Sequence, residues 1–445
     1  MGVDATVAAV RMGVLMFRCN SRAINRWAPL VGLAILALSS AGGPVVHAQS
    51  TVNLVLESWR SEDTSIWEDN IIPAYQATHP GVNITFRPTP NQYYAAALGT
   101  ELQAGTAGDM FACPPFDTSE AFYNQGYLPN INDMPELSHF STLARSGWTT
   151  RDGATTYCMP VASVMEGFTY NKDAFDKLGL RPPSTRAEFF QVLDAIKQDG
   201  TYIPLAMGTA DGWTNGVMGL YSNGPNFWKG EDGRQALIAG TARLTDRPFV
   251  DAMTFLAQWG PYLPPGAQAV KYSDTQEMFP LGKAAIMPAG SWEITLFRQK
   301  ANFQMGVFKP PVANVGDQGY IDQTIDIGFT YNPKSANTDA ARDFVHWVGT
   351  SEFATLYCNA LPGFFTLGDY QVQVADPLAQ EYLSWLNDAR PTIRLGVQYL
   401  STGTPSLDSE LFTLMPQVLN GTLSPEDAAS TAQQDLDSWY KPPQR

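Results

Sequence analysis

Three short segments of this chain place an aromatic ring next to a charged side chain. They are Trp59-Arg60-Ser61-Glu62, Asp211-Gly212-Trp213 and Trp292-Glu293. A sugar ring carries hydroxyl groups around its edge and apolar C–H bonds on its faces. A site for such a ring needs carboxylates or amides at the edge and flat aromatic rings against the faces. The three segments contain the side-chain types for that chemistry.

Motifs for covalent or metal-assisted catalysis are absent from the sequence. There is no G-x-S-x-G or H-E-x-x-H motif, no glycine-rich phosphate loop and no Cys or His cluster with metal-ligand spacing. His79, His139 and His346 are scattered, and we expect them to be structural. The sequence therefore predicts no metal, no cofactor and no catalytic residue.

The first part of the chain after residue 50 alternates strands with helices. Residues 51–56 are apolar and β-branched, which predicts a buried strand, and residues 82–86 predict a second one. Between them lies a predicted helix that begins at Ser65 and Glu68, which have capping-box spacing, and ends at His79-Pro80-Gly81. Such a β-α-β unit implies a right-handed crossover and a parallel sheet.

The same alternation continues through the chain and predicts an α/β fold. A length of 445 residues favours two domains. No flexible linker separates them, which favours domains that interleave along the chain. Further elements are predicted as strands over 109–113, 156–161 and 284–287, and as helices over 93–103, 118–124 and 338–348, from Thr185 with Glu188 to Asp199-Gly200, and from Ser424-Pro425 onward.

The formal net charge is −15 at pH 7. Nucleic acids and anionic membranes are bound through clustered Lys and Arg side chains that replace counterions. An acidic chain argues against both partners and favours a neutral ligand.

The first 48 residues have the organisation of a secretory signal peptide. Arg18, Arg22 and Arg26 precede an apolar run over residues 28–38, and small residues follow up to Ala48, where cleavage is predicted. The run is too short for a permanent membrane span. We therefore expect a periplasmic protein.

The cysteines bear on anchoring and on redox state. Cys19 precedes the apolar run and does not stand at the cleavage site, so no lipid anchor is expected. Cys113, Cys158 and Cys358 remain after cleavage. In an oxidising compartment one pair can form a disulfide. The sequence leaves open which pair this is, and whether all three are buried free thiols.

Short motifs in a fixed order along residues 54–363 resemble the family 1 extracellular solute-binding proteins, the maltose-binding-like group that serves carbohydrate importers. Each motif is weak alone, but together they span almost all of the mature chain. They are Leu54-Val55-Leu56-Glu57-Ser58-Trp59-Arg60, Ile72-Pro73-Ala74-Tyr75, His79-Pro80-Gly81, Ala104-Gly105-Thr106-Ala107-Gly108-Asp109, Gly126-Tyr127-Leu128, Tyr170-Asn171-Lys172-Asp173-Ala174-Phe175, Gly282-Lys283-Ala284-Ala285, Gly290-Ser291-Trp292 and Leu361-Pro362-Gly363.

The resemblance implies a two-lobed periplasmic binding protein fold of type II, with interleaved α/β lobes that close on a ligand at a hinge. Lobe one would comprise residues 49–160 plus 327–366, and lobe two residues 161–326 plus 367–445. The implied function is capture of a carbohydrate for the permease and ATPase of an ABC transporter. A monomer is expected, with no enzymatic activity.

The resemblance also implies which residues contact the ligand. Asp211 would accept hydroxyl protons, and Trp213 and Trp292 would stack on sugar rings. Further candidates are Trp59, Arg60, Glu62, Asp117, Glu166 and Glu293, with Gln398, Ser401 and Thr404 on a late loop.

Several of these residues have structural alternatives. Trp59 could pack beneath its loop, Asp117 could cap the next helix, and Glu166 could form a salt bridge in a hinge strand. Val164 stands where the maltose binder carries an acidic contact, which argues against maltose as the ligand.

Three other functions share these features. An exported carbohydrate hydrolase would need two carboxylates about 5–10 Å apart, and the sequence does not exclude such a pair. The same fold could instead bind an anionic glycoside, through Arg60 or Arg394, or a polyol. A sensor subunit that reports ligand to a membrane receptor is the third alternative.

Overall fold

The computed structural model describes residues 51–442. The predicted signal peptide over residues 1–48 lies outside the described residues. Within residues 51–442, no helix is both long enough and apolar enough to cross a bilayer.

Ten strands within residues 51–442 join into one sheet. In chain order they are β1 Val52–Ser58, β2 Val82–Pro88, β3 Met110–Cys113, β4 Met159–Asn171, β5 Ile203–Leu205, β6 Ala284–Gly290, β7 Met305–Phe308, β8 Gly319–Tyr331, β9 Phe365–Thr366 and β10 Ala389–Thr392.

The sheet contains two groups of parallel strands, one at each end of the strand order, and β10 also runs parallel to β8. Its order is β2-β1-β3-β8-β4-β6-β5, with β10 beside β8, and with β7 and β9 beside β4. In the first group β1 runs parallel to β2 and β3, and in the second group β5 runs parallel to β6. The antiparallel pair β4 and β8 lies between the two groups.

The strands β4 and β8 connect the two groups. Each has 13 residues, about twice the usual strand length. The first half of β4 pairs with β8 and β9, and its second half pairs with β6 and β7. The chain therefore passes between the groups inside continuous strands, which explains why the sequence shows no flexible linker. The lobe boundaries given above stay a prediction.

Helices cover the sheet and follow most strands. In chain order the α-helices of the described range are α1 Thr64–Ile66, α2 Ile72–Thr78, α3 Asn91–Ala104, α4 Asp117–Asn124, α5 Thr142–Arg145, α6 Lys172–Leu178, α7 Arg186–Asp199, α8 Gly212–Thr214, α9 Pro225–Trp228, α10 Glu231–Ile238, α11 Arg247–Ala257, α12 Tyr272–Met278, α13 Ile294–Lys300, α14 Thr338–Val348, α15 Ser351–Ala360, α16 Pro377–Ser384, α17 Leu407–Leu419 and α18 Pro425–Trp439.

Two predicted helix starts are confirmed by their capping contacts. The Thr185 side chain accepts from the backbone N–H of Glu188, and the Glu188 carboxylate accepts from the backbone N–H of Thr185, which completes a capping box. Gly200 ends this helix in the left-handed conformation, with φ 71°. At α18 the Ser424 hydroxyl accepts from the Asp427 N–H.

The predicted capping box at Ser65 and Glu68 is wrong. A 3₁₀ turn over Ser61–Asp63 runs directly into α1, so Ser65 already lies inside the helix. A π-helical segment, Trp67–Ile71, then joins α1 to α2. Ser65 and Glu68 do have capping-box spacing. The helical segment nevertheless begins before Ser65, in the loop after β1.

The strand predicted over 156–161 begins earlier than β4 and is much shorter than β4. The strand β8 was not predicted. All 13 residues of β4 are buried, as expected for a strand covered on both faces. In β8, Ile325, Ile327 and Phe329 alternate with polar residues or glycine, a period-two pattern that the sequence did contain.

The hydrophobic core is rich in aromatic side chains. Trp67, Trp148 and Trp259 are completely buried in the larger of two apolar clusters. The smaller cluster packs Met165 of β4 with Tyr382 and Trp385. These rings fill the space between helices and sheet, so many of the aromatic residues, which make up 12% of the chain, serve the core.

The cysteine pairing is Cys113 with Cys158, and Cys358 is free and buried. The disulfide joins the end of β3 to the segment just before β4. It therefore fixes the base of the loop Pro114-Pro115-Phe116.

Candidate functional site

A cavity of about 500 Å³ lies where the parallel strands of both groups end. Its volume falls in the range of about 300–1,000 Å³ that is usual for small-molecule sites. Carboxyl ends of parallel strands are the usual place for ligands in open α/β sheets. Its lining includes Trp59, Arg60, Ser61 and Glu62 after β1, Pro90, Asn91 and Gln92 after β2, Pro114 and Pro115 after β3, Asp211 and Trp213 after β5, Trp292 after β6, and Lys271, Tyr272, Ser273, Gln276, Asp326 and Arg394.

One side of the cavity is an aromatic wall formed by Trp213, Tyr272 and Trp292. The Trp213 and Tyr272 rings meet edge to face, with centroids 4.8 Å apart and an angle of 73°. The indole Nε1 of Trp292 donates to the Tyr272 hydroxyl at 2.8 Å. A Cβ atom at position 290 would overlap the Trp292 ring, so Gly290 is what allows the indole to fold back against the strand end.

Asp211 supports the aromatic wall through a hydrogen bond with the backbone of Tyr272. Its Oδ2 accepts from the backbone N–H of Tyr272 at 2.8 Å. This bond ties the segment after β5 to the first residue of α12. Asp211 therefore has a structural role in addition to its position at the cavity.

Glu293 lies behind the aromatic wall and does not line the cavity. It is 1% exposed. Its carboxylate accepts from the Tyr272 hydroxyl and, at 2.9 Å, from Gln276 Nε2. Burial raises the pKa of Glu293 to about 7, although the bond from Tyr272 lowers it. Glu293 thus orients Tyr272, which in turn orients Trp292.

Replacing Glu293 by glutamine is expected to make stability less dependent on pH. The pKa of about 7 in the folded state lies above the value of about 4.3 in an unfolded chain. The folded state then binds more protons, so the free energy of unfolding falls as pH rises through that window, by at most about 1.4 kcal/mol per pH unit. Glutamine cannot ionise and removes this slope.

Urea unfolding at several pH values between about 5 and 8 measures the slope. Glu352→Gln is the matched control, because Glu352 is exposed. A slope that is equally steep in Glu293→Gln and in the wild type would contradict the role given to Glu293.

Arg60 is committed to the protein and not free for a ligand. Its Nε donates to Asp63 Oδ2 at 2.6 Å, its Nη1 pairs with Glu62 at 2.8 Å, and its Nη2 reaches the Trp292 carbonyl at 3.4 Å. Its guanidinium also lies 5.0 Å from the centre of the Phe364 ring. Arg60 therefore links the loop after β1 to the loop after β6.

Trp59 and Glu62 differ in how accessible their side chains are at the cavity. Trp59 is 9% exposed and packs edge to face on Tyr94, with centroids 5.5 Å apart. It thus packs beneath its loop and also borders the cavity. Glu62 keeps a quarter of its side chain exposed beside Arg60, so it is the more accessible polar group on this side.

Glu166 forms the predicted salt bridge in the connecting strand β4. It is completely buried, and its Oε1 accepts from Arg394 Nη2 at 2.8 Å and from Nε at 3.1 Å. Burial raises its pKa in spite of Arg394. Arg394 itself lines the cavity, so Glu166 lies behind a cavity residue and does not face the cavity.

Asp117 lies away from this cavity, at two neighbouring ones. It does not cap α4: that helix begins at Asp117, and Phe116 occupies the N-cap position without a side-chain bond. Burial raises the pKa of Asp117 to about 7. Gln398 and Ser401 also line these neighbouring cavities, whereas Thr404 lines neither of them, and Val164 is completely buried.

Sequence reasoning missed several lining residues. Asn91 and Gln92 open α3 just after the short turn that follows β2, so the rule that places sites at strand ends could have found them. Tyr272 and Gln276 lie on α12, which follows no strand. Nothing in the sequence indicates that this helix borders the cavity.

Comparisons with known proteins agree with this architecture. The family profile of the bacterial extracellular solute-binding proteins matches residues 58–354. The Multiple sugar-binding protein of Streptococcus mutans is 23% identical over 348 residues, which cover 74% of this chain and 79% of that relative.

Two solved structures show the same fold. The bacterial solute receptor AcbH has a TM-score of 0.75 at 17% identity, covering 88% of this chain and 100% of that one. RafE in complex with raffinose has a TM-score of 0.71 at 22% identity, covering 87% and 99%. The predicted two-lobed α/β fold is confirmed. The family profile matches more than half of the length of this chain, and the chain therefore belongs to the bacterial extracellular solute-binding proteins.

Proposed function

We propose that this protein binds a carbohydrate in the cavity between the two groups of parallel strands and delivers it to an ABC importer. The observation that carries the proposal is the aromatic wall, which faces the polar residues of the loops after β1 and β2 across one cavity. Flat rings against polar side chains suit the apolar faces and hydroxyl edge of a sugar.

The relatives support a carbohydrate ligand. Their names include a multiple sugar-binding protein, a receptor that prefers galactopyranose and a raffinose complex. A further relative, from Pyrococcus horikoshii, is named as an ABC transporter extracellular-binding protein. A permease and an ATPase are therefore the proposed partners.

Export to the periplasm as a soluble monomer without a lipid anchor is part of the proposal. Export rests on the predicted cleavage after Ala48, and the absence of a lipid anchor rests on the position of Cys19 before the apolar run. The monomer is what the resemblance to the family implies. Lobe one is proposed to comprise residues 49–160 plus 327–366, and lobe two residues 161–326 plus 367–445. This division places the loops after β1, β2 and β3 on one side of the cavity and those after β5 and β6 on the other.

The proposal is tested by incubating the purified protein with a panel of mono-, di- and oligosaccharides. Melting temperature and ligand integrity are followed together. A saccharide that binds only the native state raises the melting temperature by mass action, and we expect it to remain intact. Cleavage of the saccharide would instead support the hydrolase, and no shift with any saccharide would contradict the proposal.

Trp213→Ala is expected to weaken carbohydrate binding by about 1–3 kcal/mol, because the half-buried indole loses its contact with the sugar face. Isothermal titration with the best saccharide of the panel measures the loss. Tyr262→Ala is the control, since Tyr262 is also half-buried but packs on Phe190, away from the cavity. Equal affinities of Trp213→Ala and the wild type would remove Trp213 from the site.

A further inference from the structure

The two arginines at the cavity are neutralised by carboxyl groups of the protein. Arg60 Nε contacts Asp63 Oδ2 at 2.6 Å, and Arg394 Nη2 contacts Glu166 Oε1 at 2.8 Å. Both carboxyl groups are buried, so solvent and salt screen these pairs little. Neither guanidinium therefore presents an uncompensated positive charge to a ligand, and the cavity is a poor site for an anionic sugar.

Asp326 is a carboxylate at this cavity without a partner of its own. It lies on the connecting strand β8, lines the cavity and is only partly exposed. Within residues 51–442 its side chain forms no hydrogen bond; burial raises its pKa, whereas the charges of Arg394 and Arg60 lower it. A carboxylate that is largely removed from water without a donor costs free energy. A ligand group that brings a positive charge and N–H donors offsets that cost.

The other charged residues at the cavity act in the same direction. Glu62 and Asp211 line it together with Asp326, whereas Lys271 is the only lining lysine among the described residues. Lys271 is exposed, so solvent and salt screen its charge. Because the arginines are neutralised, the cavity carries a negative potential, which attracts a cation and repels an anion.

The aromatic wall suits the same ligand charge. The faces of Trp and Tyr rings attract an ammonium group, and the attraction grows where water is excluded. Trp292 is 7% exposed, and its bond to the Tyr272 hydroxyl fixes the position of its ring. The side-chain amides of Asn91 and Gln92 line the same cavity and can bind sugar hydroxyl groups.

We infer that the cavity selects sugars with a protonated amino group over their neutral parents and excludes sugars with a carboxylate, with Asp326 as the acceptor of the ammonium group. The ammonium group donates to the Asp326 carboxylate, and the apolar face of the sugar packs on the aromatic wall. An anionic glycoside, which Arg60 and Arg394 suggest in the sequence, meets the opposite potential. This inference rests on the proposed function and specifies its substrate class.

The test compares sugars that differ in one charged substituent. Glucose, glucosamine, N-acetylglucosamine and glucuronate, and the corresponding galactose series, are titrated calorimetrically into the full mature chain. The titrations are run at about pH 6.5, where an amine is protonated. We expect the amino sugar of the preferred series to bind about tenfold more tightly than its neutral parent, and the uronate about tenfold more weakly. The N-acetyl sugar, which keeps the nitrogen without its charge, should show no such gain.

Asp326→Asn keeps the shape of the side chain and removes its charge. We expect it to bring the affinity ratio of amino sugar to neutral parent down to about one, because the loss of a tenfold preference corresponds to one ion pair of moderate strength. Asp69→Asn is the matched control, because Asp69 is exposed and does not line the cavity. This control should keep the ratio of the wild type.

The wild-type series keeps the test valid if Asp326→Asn folds poorly. An amino sugar that binds no more tightly than its neutral parent would overturn the charge selection and leave the proposed function intact. A ratio in folded Asp326→Asn equal to that of the wild type would overturn the role of Asp326. Failure of every sugar to bind would overturn the proposed function and the charge selection with it.

Discussion

Replacing Arg394 by methionine is expected to lower the free energy of unfolding by about 3–5 kcal/mol, the usual cost of removing one partner of a buried ion pair. Arg394 lies against two carboxyl groups from the connecting strands, Glu166 of β4 at 2.8 Å and Asp322 of β8 at 3.9 Å. Both carboxyl groups are completely buried. Glu166 Oε2 and both Asp322 oxygens have no hydrogen-bond partner among the described residues, so Arg394 provides most of their compensation.

The loss in Arg394→Met should grow as pH rises. Burial raises the pKa of Glu166 and of Asp322, and Arg394 lowers both. Without the arginine these pKa values rise further, so the folded variant holds protons that the unfolded chain releases above about pH 4. The free energy of unfolding of the variant therefore continues to fall with increasing pH after the wild-type carboxyl groups have ionised and the wild-type curve has levelled off.

Urea unfolding at about pH 5 and about pH 8 measures both effects. Arg247→Met is the control, because the exposed pair of Arg247 with Asp251 should contribute at most about 1 kcal/mol. The double variant Glu166→Gln with Arg394→Met should recover part of the loss, since it removes one of the two uncompensated carboxyl groups. A loss in Arg394→Met no larger than in Arg247→Met would show that Arg394 does not support the connecting strands.

The double variant Cys113→Ala with Cys158→Ala is expected to be less stable by about 4 kcal/mol if loop entropy dominates. The disulfide spans 45 residues of sequence, and without it the unfolded chain gains the freedom of that loop. The variant should also bind its carbohydrate less well, because Cys113 directly precedes Pro114 and Pro115, which line the cavity.

The matched control is Cys358→Ala, which removes a buried thiol without opening a loop and should cost less. A thiol assay on the unfolded wild-type protein without reductant should find only Cys358 reactive within the mature chain. Three reactive thiols there, or equal stability of the two cysteine variants, would contradict a role for the disulfide.

Local sequence patterns were enough to predict the fold class and a large part of the cavity. The β-α-β alternation depends on side-chain periodicity and on capping residues such as Thr185 and Glu188, which act within one or two turns. Trp292 could be identified because it follows the predicted strand over 284–287, at the strand end where α/β sheets place their ligands, whereas Trp213 was identified only through the resemblance to the family. Six of the twelve candidate contact residues border the main cavity: Trp59, Arg60, Glu62, Asp211, Trp213 and Trp292.

The tertiary structure alone decided which polar groups are free. Glu166 has the side chain of a ligand contact, but Arg394, more than 200 positions away, occupies it. Arg60 is occupied by its neighbours Glu62 and Asp63 and also by the distant Trp292 carbonyl. The tertiary structure alone also decided which two cysteines pair. It alone placed Tyr272 at the cavity, because α12 follows no strand. Burial and long-range partners are set by how distant segments pack, and a sequence read locally records only neighbours along the chain.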